Sequence, residues 1–117
     1  MSFDWRDYLK LAGTLASAES EAARRTAVSR AYYAAYHQAK IYLTDTTQLN
    51  GEKHEHVIAV LKHHRMRDQR DTGLQLERLK RFRESADYIQ NQFDVKPAEV
   101  IATAEKVVGM LARFPRN

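Results

Sequence analysis

Arg30 and His37 are the two residues whose types and spacing best suit chemistry. They are seven positions apart, so on an α-helix their side chains share a face with an offset of about 20°. Imidazole titrates near neutral pH and can act as general base or acid. Guanidinium stays protonated and binds phosphate oxygens through paired hydrogen bonds. The pair therefore suits cleavage of an RNA phosphodiester, where the 2′-hydroxyl is the nucleophile and no metal is required.

The same two residues also have ordinary structural interpretations. An arginine in an alanine-rich helix often pairs with a carboxylate of its own bundle, and Asp87 is the candidate. His37 could equally complete the packing through a hydrogen bond to the backbone or to a tyrosine, and the spacing leaves both interpretations open. We expect Asp87 to contact Arg30 or to lie within reach of it, because leaving a buried charge unpaired costs about 3–5 kcal/mol. Tyr33 is expected to lie toward Arg30, where it could stack on a base.

The positive charge of the chain is concentrated in one segment. The whole chain carries +4, whereas residues 62–83 hold eight Lys and Arg against three acidic residues, a net +5. Such clustering suits a polyanion such as RNA, although a solvated helix face has the same composition. The candidate RNA-binding residues are Lys62, Arg65, Arg67, Arg70, Arg78, Lys80 and Arg81.

The 3.6-residue hydrophobic period predicts an all-α fold in one domain, residues 1–117. We expect an up-down bundle of four to five helices. The predicted helices span about 4–18, 21–44, 52–64 and 74–93, with a fifth running from Pro97 to before Pro115. The connections are a polar loop at 44–51, which ends in Asn50-Gly51, and a charged segment at 65–73, which contains Gly73.

The second predicted helix is apolar on two faces. One stripe, which includes Val28, Tyr32 and Leu43, should face the core. The opposite stripe comprises Ala23, Ala27, Arg30, Ala34, His37 and Ile41. Either this helix is the central one of its own bundle, or a second protomer covers the far stripe. A two-fold dimer through that stripe would bring two Arg and two His to one site.

Several classes of function are excluded. The absence of cysteine excludes disulfides, zinc–thiolate sites and thiol catalysis. The sequence is charged from Asp4 onward, which does not fit a secretion signal, and no apolar run approaches the ~20 residues of a membrane helix. The histidines near 54–64 have too few accompanying carboxylates to predict a metal site. We therefore expect a cytoplasmic protein without a membrane partner, a metal or another cofactor.

Four segments together resemble one protein family. Residues 25–37, RTAVSRAYYAAYH, closely resemble the second-helix signature of HEPN domains. Residues 5–12, WRDYLKLA, are similar to the opening helix of that family. His54, Val57 and Ile58 resemble its third helix, and residues 83–88, RESADY, resemble its fourth. The resemblance covers most of residues 3–93 in the same order.

The resemblance implies a four-to-five-helix bundle that commonly homodimerises and is often a metal-independent endoribonuclease. Family members use an Arg followed by four to six residues and a His, which Arg30 and His37 match with six between them. The implied setting is a toxin–antitoxin pair with a nucleotidyltransferase-like partner, or phage defence. Ala31 departs from the pattern, because active members often carry a polar residue directly after the Arg. The alternatives are an inactive HEPN module that binds RNA or such a partner, and a structural dimerisation domain.

Overall fold

The structure is a computed structural model that describes residues 2–46, 48 and 54–116. These residues form five α-helices and contain no strand, which confirms the predicted all-α bundle. No helix in the described ranges is long and apolar enough to cross a membrane. The helices are α1 (Asp7–Ala16), α2 (Glu21–Asp45), α3 (His54–Lys62), α4 (Arg67–Tyr88) and α5 (Pro97–Arg113).

α2 is the central helix of the bundle, since it packs against all four of the others. It begins at the N-cap Ser20, whose hydroxyl accepts a hydrogen bond from the backbone N–H of Ala23 at 3.1 Å. The small residues Ala27 and Ala34 have no exposed area within the single chain. The second apolar stripe is thus covered largely by the protein's own helices. Ala27 and Ala34 therefore need no second protomer to cover them, whereas Ile41 of the same stripe is 40% exposed.

α4 begins at Arg67, earlier than predicted, and Gly73 lies inside it instead of in a connection. A Cβ atom at Gly73 would lie 2.7 Å from the backbone nitrogen of Lys62 and 2.9 Å from the carbonyl carbon of Leu61. The glycine therefore serves the close approach of α3 and α4 and does not break the helix. The predicted Asn50-Gly51 turn and the predicted start of the third helix at residue 52 lie outside the described residues.

α4 also ends at Tyr88, before the predicted residue 93, and Arg25 of α2 explains this end. The Arg25 guanidinium donates to the carbonyls of Ala86 at 2.9 Å, Ile89 at 2.6 Å and Asn91 at 3.0 Å. The last carbonyls of a helix have no partner within it, so an external donor stabilises this terminus. Ile89, the C-cap residue directly after the helix, is 50% exposed.

Candidate functional site

Aromatic side chains from the N-terminal segment cover the part of α2 that carries His37. The indole of Trp5 lies parallel to the His37 imidazole, with ring centroids 3.5 Å apart and an interplanar angle of 12°. Phe3 and Tyr8 pack edge-on against Trp5, at centroid distances of 4.9 and 5.4 Å. Trp5 covers one face of the imidazole, whereas the two ring nitrogens lie at its edge. The stacking therefore fixes the plane in which His37 could exchange a proton.

The Tyr33 ring lies near both candidate catalytic residues, Arg30 and His37. The Arg30 guanidinium lies over the rings of Tyr8 and Tyr33, with centroid distances of 5.0 and 5.6 Å. The Tyr33 ring lies 6.2 Å from the His37 ring. Arg30 is half-buried and forms no hydrogen bond or ion pair with any described residue. The base-stacking role of Tyr33 stays a prediction, but its place between Arg30 and His37 is clear.

The expected contact between Asp87 and Arg30 is not formed. Asp87 Oδ2 accepts a hydrogen bond from Ser29 Oγ at 3.3 Å and lies 3.8 Å from Arg83 Nη1. Arg83 precedes Asp87 by four residues on α4, so the two side chains lie on one face of the same helix. Partial solvation and the faces of two tyrosines compensate the Arg30 charge instead.

Arg83 is a residue of the site that the sequence reasoning missed as a functional candidate. It is 9% exposed, and its guanidinium lies over Tyr32 at 5.5 Å, Tyr33 at 5.7 Å and Tyr88 at 5.9 Å. Arg30 and Arg83 thus both contact the Tyr33 ring. The sequence does indicate that Arg83 is buried, because Arg83 falls at helical spacing within the buried stripe of Leu76, Leu79 and Ala86.

Several residues of the basic segment form ion pairs or hydrogen bonds within the protein. Lys62 Nζ donates to Glu77 Oε2 at 2.7 Å, and Arg81 Nη1 lies 3.5 Å from Glu77 Oε1. Arg70 donates to the backbone carbonyls of His64 and Arg65, which stabilises the turn between α3 and α4.

The remaining candidates of this segment are Arg65, Arg67, Arg78 and Lys80. Arg65, Arg67 and Arg78 are exposed, and Lys80 is half-buried. Arg67 lies 3.8 Å from Asp71 in an exposed pair, and such pairs contribute at most about 1 kcal/mol. Arg65, Arg67 and Arg78 are therefore best placed to contact a nucleic-acid backbone.

His64 lies in this same turn and makes stability pH-dependent. Burial, followed by the charges of Arg65 and Arg70, lowers the pKa of His64 below its ordinary 6.5. The neutral ring also accepts a hydrogen bond at Nδ1 from the Met66 N–H at 3.0 Å. Because the folded-state pKa is lowered, the stability from neutral His64 is present above pH ~6.5 and lost as pH falls through the folded-state value.

We expect a His64→Gln variant to lose less stability than the wild type between pH 7 and pH 5. Glutamine does not titrate, so the variant lacks the loss of stability that comes from protonation of His64 on unfolding. The free energy of unfolding should therefore decline less steeply as the pH falls. Urea unfolding at a series of pH values measures this, with His63→Gln, an exposed neighbour, as the matched control. Parallel pH profiles for the wild type and His64→Gln would contradict it.

A cavity of about 940 Å³ lies elsewhere in the molecule, lined by Tyr42, His63, Gln69, Met110 and Phe114 among others. Neither Arg30 nor His37 lines it. The candidate site is thus distinct from this cavity.

No family model, curated protein or solved structure matches the chain. The resemblance to HEPN domains therefore rests on the sequence segments given above.

Proposed function

We propose that this protein is a metal-independent endoribonuclease of the HEPN type that works as a cytoplasmic homodimer. One observation carries the proposal: the Arg30 guanidinium and the His37 imidazole both adjoin the Tyr33 ring on α2. A permanent cation without an acidic partner among the described residues, close to an imidazole that can act as general acid or base, suits phosphodiester chemistry. The proposed setting is a toxin–antitoxin or phage-defence system, with a nucleotidyltransferase-like antitoxin or another defence protein as partner.

In the proposed reaction, a 2′-hydroxyl oxygen attacks the adjacent phosphorus, and the bond to the 5′-oxygen breaks. His37 accepts the proton of the 2′-hydroxyl or donates one to the departing 5′-oxygen, and Arg30 stabilises the charge on the phosphorane. The products are a 2′,3′-cyclic phosphate and a 5′-hydroxyl.

The reaction requires two proton transfers, and each chain supplies one His37. A homodimer would supply two. Ala27 and Ala34 are buried within the chain, so a dimer would have to contact exposed residues of the same face. Ile41, which is 40% exposed on α2, is one of them. Light scattering at micromolar concentration tests the dimer, and a monomer under these conditions would contradict this part of the proposal.

A second candidate function is binding of single-stranded RNA without cleavage. Two observations favour it: Trp5 covers one face of His37, and Ala31, directly after Arg30, is fully buried. A polar side chain at position 31 would therefore face the core. Aromatic faces and guanidinium groups can bind bases and phosphates without any proton transfer.

The direct test is incubation of the purified protein with single-stranded RNA in EDTA, followed by analysis of the ends. We expect cleavage with 2′,3′-cyclic phosphate and 5′-hydroxyl ends. Cleavage that depends on added Mg²⁺ would contradict the proposed mechanism. RNA that stays intact while binding the protein would favour the second candidate.

Arg65, Arg67 and Arg78 are expected to guide the RNA backbone, so replacing all three by glutamine should weaken RNA binding evenly across sequences. If each contacts one phosphate, the slope of log affinity against log salt should fall by about 2. The matched control removes the same charge from exposed positions elsewhere, with Lys10, Lys96 and Lys106 changed to glutamine. Equal losses in the two triple variants, measured by fluorescence anisotropy, would contradict a local contact.

A further inference from the structure

Arg83 has a hydrogen-bond donor that the fold leaves unused. In the described part of the chain, Arg83 Nε is the one fully buried side-chain nitrogen or oxygen without a hydrogen-bond partner. Its Nη1 lies 3.8 Å from Asp87 Oδ2, longer than a charge-assisted hydrogen bond. Tyrosine faces surround this guanidinium. A guanidinium has five N–H donors and stays protonated, so Arg83 retains the capacity to bind a further oxyanion.

Arg30 supplies a second guanidinium beside the same ring. The Arg30 and Arg83 groups lie 5.6 and 5.7 Å from the Tyr33 centroid. Arg30 is half-buried, so part of its side chain reaches solvent. Both groups are positive and adjoin one ring, and an anion that contacts both would offset the two charges and satisfy their donors.

We propose that Arg30 and Arg83 together bind one phosphodiester group of a single-stranded nucleic acid, and that Asp87 holds Arg83 until the phosphate arrives. This inference rests on the proposed function and extends its site to Arg83 and Asp87. The Asp87 side chain is 33% exposed, and the hydrogen bond from Ser29 keeps it beside Arg83. As an anion next to the same guanidinium, Asp87 competes with the phosphate.

The test is the affinity for a labelled single-stranded DNA oligonucleotide, measured by fluorescence anisotropy. DNA has the phosphates of RNA but no 2′-hydroxyl, so binding is measured without the proposed cleavage. Asp87→Asn should tighten binding about five- to tenfold, because the competing charge is removed. The matched control is Glu84→Gln, which removes one negative charge from an exposed position of α4 and should change affinity by no more than about twofold.

Arg83→Lys completes the test, because lysine keeps the charge but lacks the planar fork of donors. It should weaken binding about tenfold, and Asp87→Asn added to it should no longer tighten binding. A purely structural role for Asp87 would give no gain in affinity on its removal. Should Arg83→Lys fail to fold by circular dichroism, the comparison of Asp87→Asn with Glu84→Gln decides alone.

Equal affinities of Asp87→Asn and Glu84→Gln would overturn the proposal, as would unchanged binding by a folded Arg83→Lys or no oligonucleotide binding by the wild type. The predicted affinity changes in a protein that cuts no RNA would support the two-arginine site and count against the endoribonuclease alone.

Discussion

His37→Ala should lower the rate of RNA cleavage by about 10²-fold or more, the usual scale for removal of a general acid–base group. RNA affinity should change by no more than a few-fold, because Arg30 and the basic residues of α4 remain. The rate is measured under single-turnover conditions, so that chemistry is separated from binding and product release.

Two controls separate the role of His37 in cleavage from an effect on stability. His63→Ala removes an exposed histidine away from Arg30 and should leave the rate unchanged. Because His37 stacks on Trp5, the stability of His37→Ala is compared with that of His37→Gln, which retains more of the side-chain volume. Equal rates for the wild type and a folded His37→Ala would contradict the assignment of His37.

Gly73→Ala should destabilise the protein by about 2–3 kcal/mol, the upper part of the range for overpacking. The new Cβ would meet the backbone of Lys62 and Leu61 at 2.7 and 2.9 Å, and backbone atoms cannot move aside as a flexible side chain can. This loss should exceed the ~1 kcal/mol that alanine gains over glycine inside a helix. Urea unfolding measures the difference.

Gly13→Ala is the matched control, because a Cβ at Gly13 in α1 has no atom within 4 Å. The same substitution should therefore stabilise the protein there, by about 0.5–1 kcal/mol. If both variants shift the free energy of unfolding in the same direction, the close approach of α3 and α4 at Gly73 is not a constraint.

Much of the fold could be predicted from the sequence, because hydrophobic periodicity reports directly which face of a helix is buried. The five helices and the dual burial of α2 follow from it. The start of α4 could not be predicted, because a glycine in a charged segment has the pattern of a break. Gly73 instead allows Leu61 and Lys62 of α3 to approach α4 closely, which is a contact between helices. The end of α4 likewise depends on Arg25 from another helix.

The site was predictable where residues share one helix. Arg30 and His37 lie on α2 and both adjoin Tyr33, as their spacing suggests. Partners across helices were not predictable in the same way. Asp87 makes no direct contact with Arg30; it accepts a hydrogen bond from the neighbouring Ser29 and pairs with Arg83. The stacking of Trp5 on His37 depends on how α1 packs against α2, which periodicity does not specify.

The most direct test of the central claim is cleavage of an RNA oligonucleotide with one deoxynucleotide at the cut position. The wild-type protein, in EDTA, is compared on this substrate and on the all-ribose oligonucleotide. If Arg30 and His37 act on the RNA's own 2′-hydroxyl, cleavage at that position should be lost while binding is kept. Equal cleavage of the two substrates at that position would contradict the account.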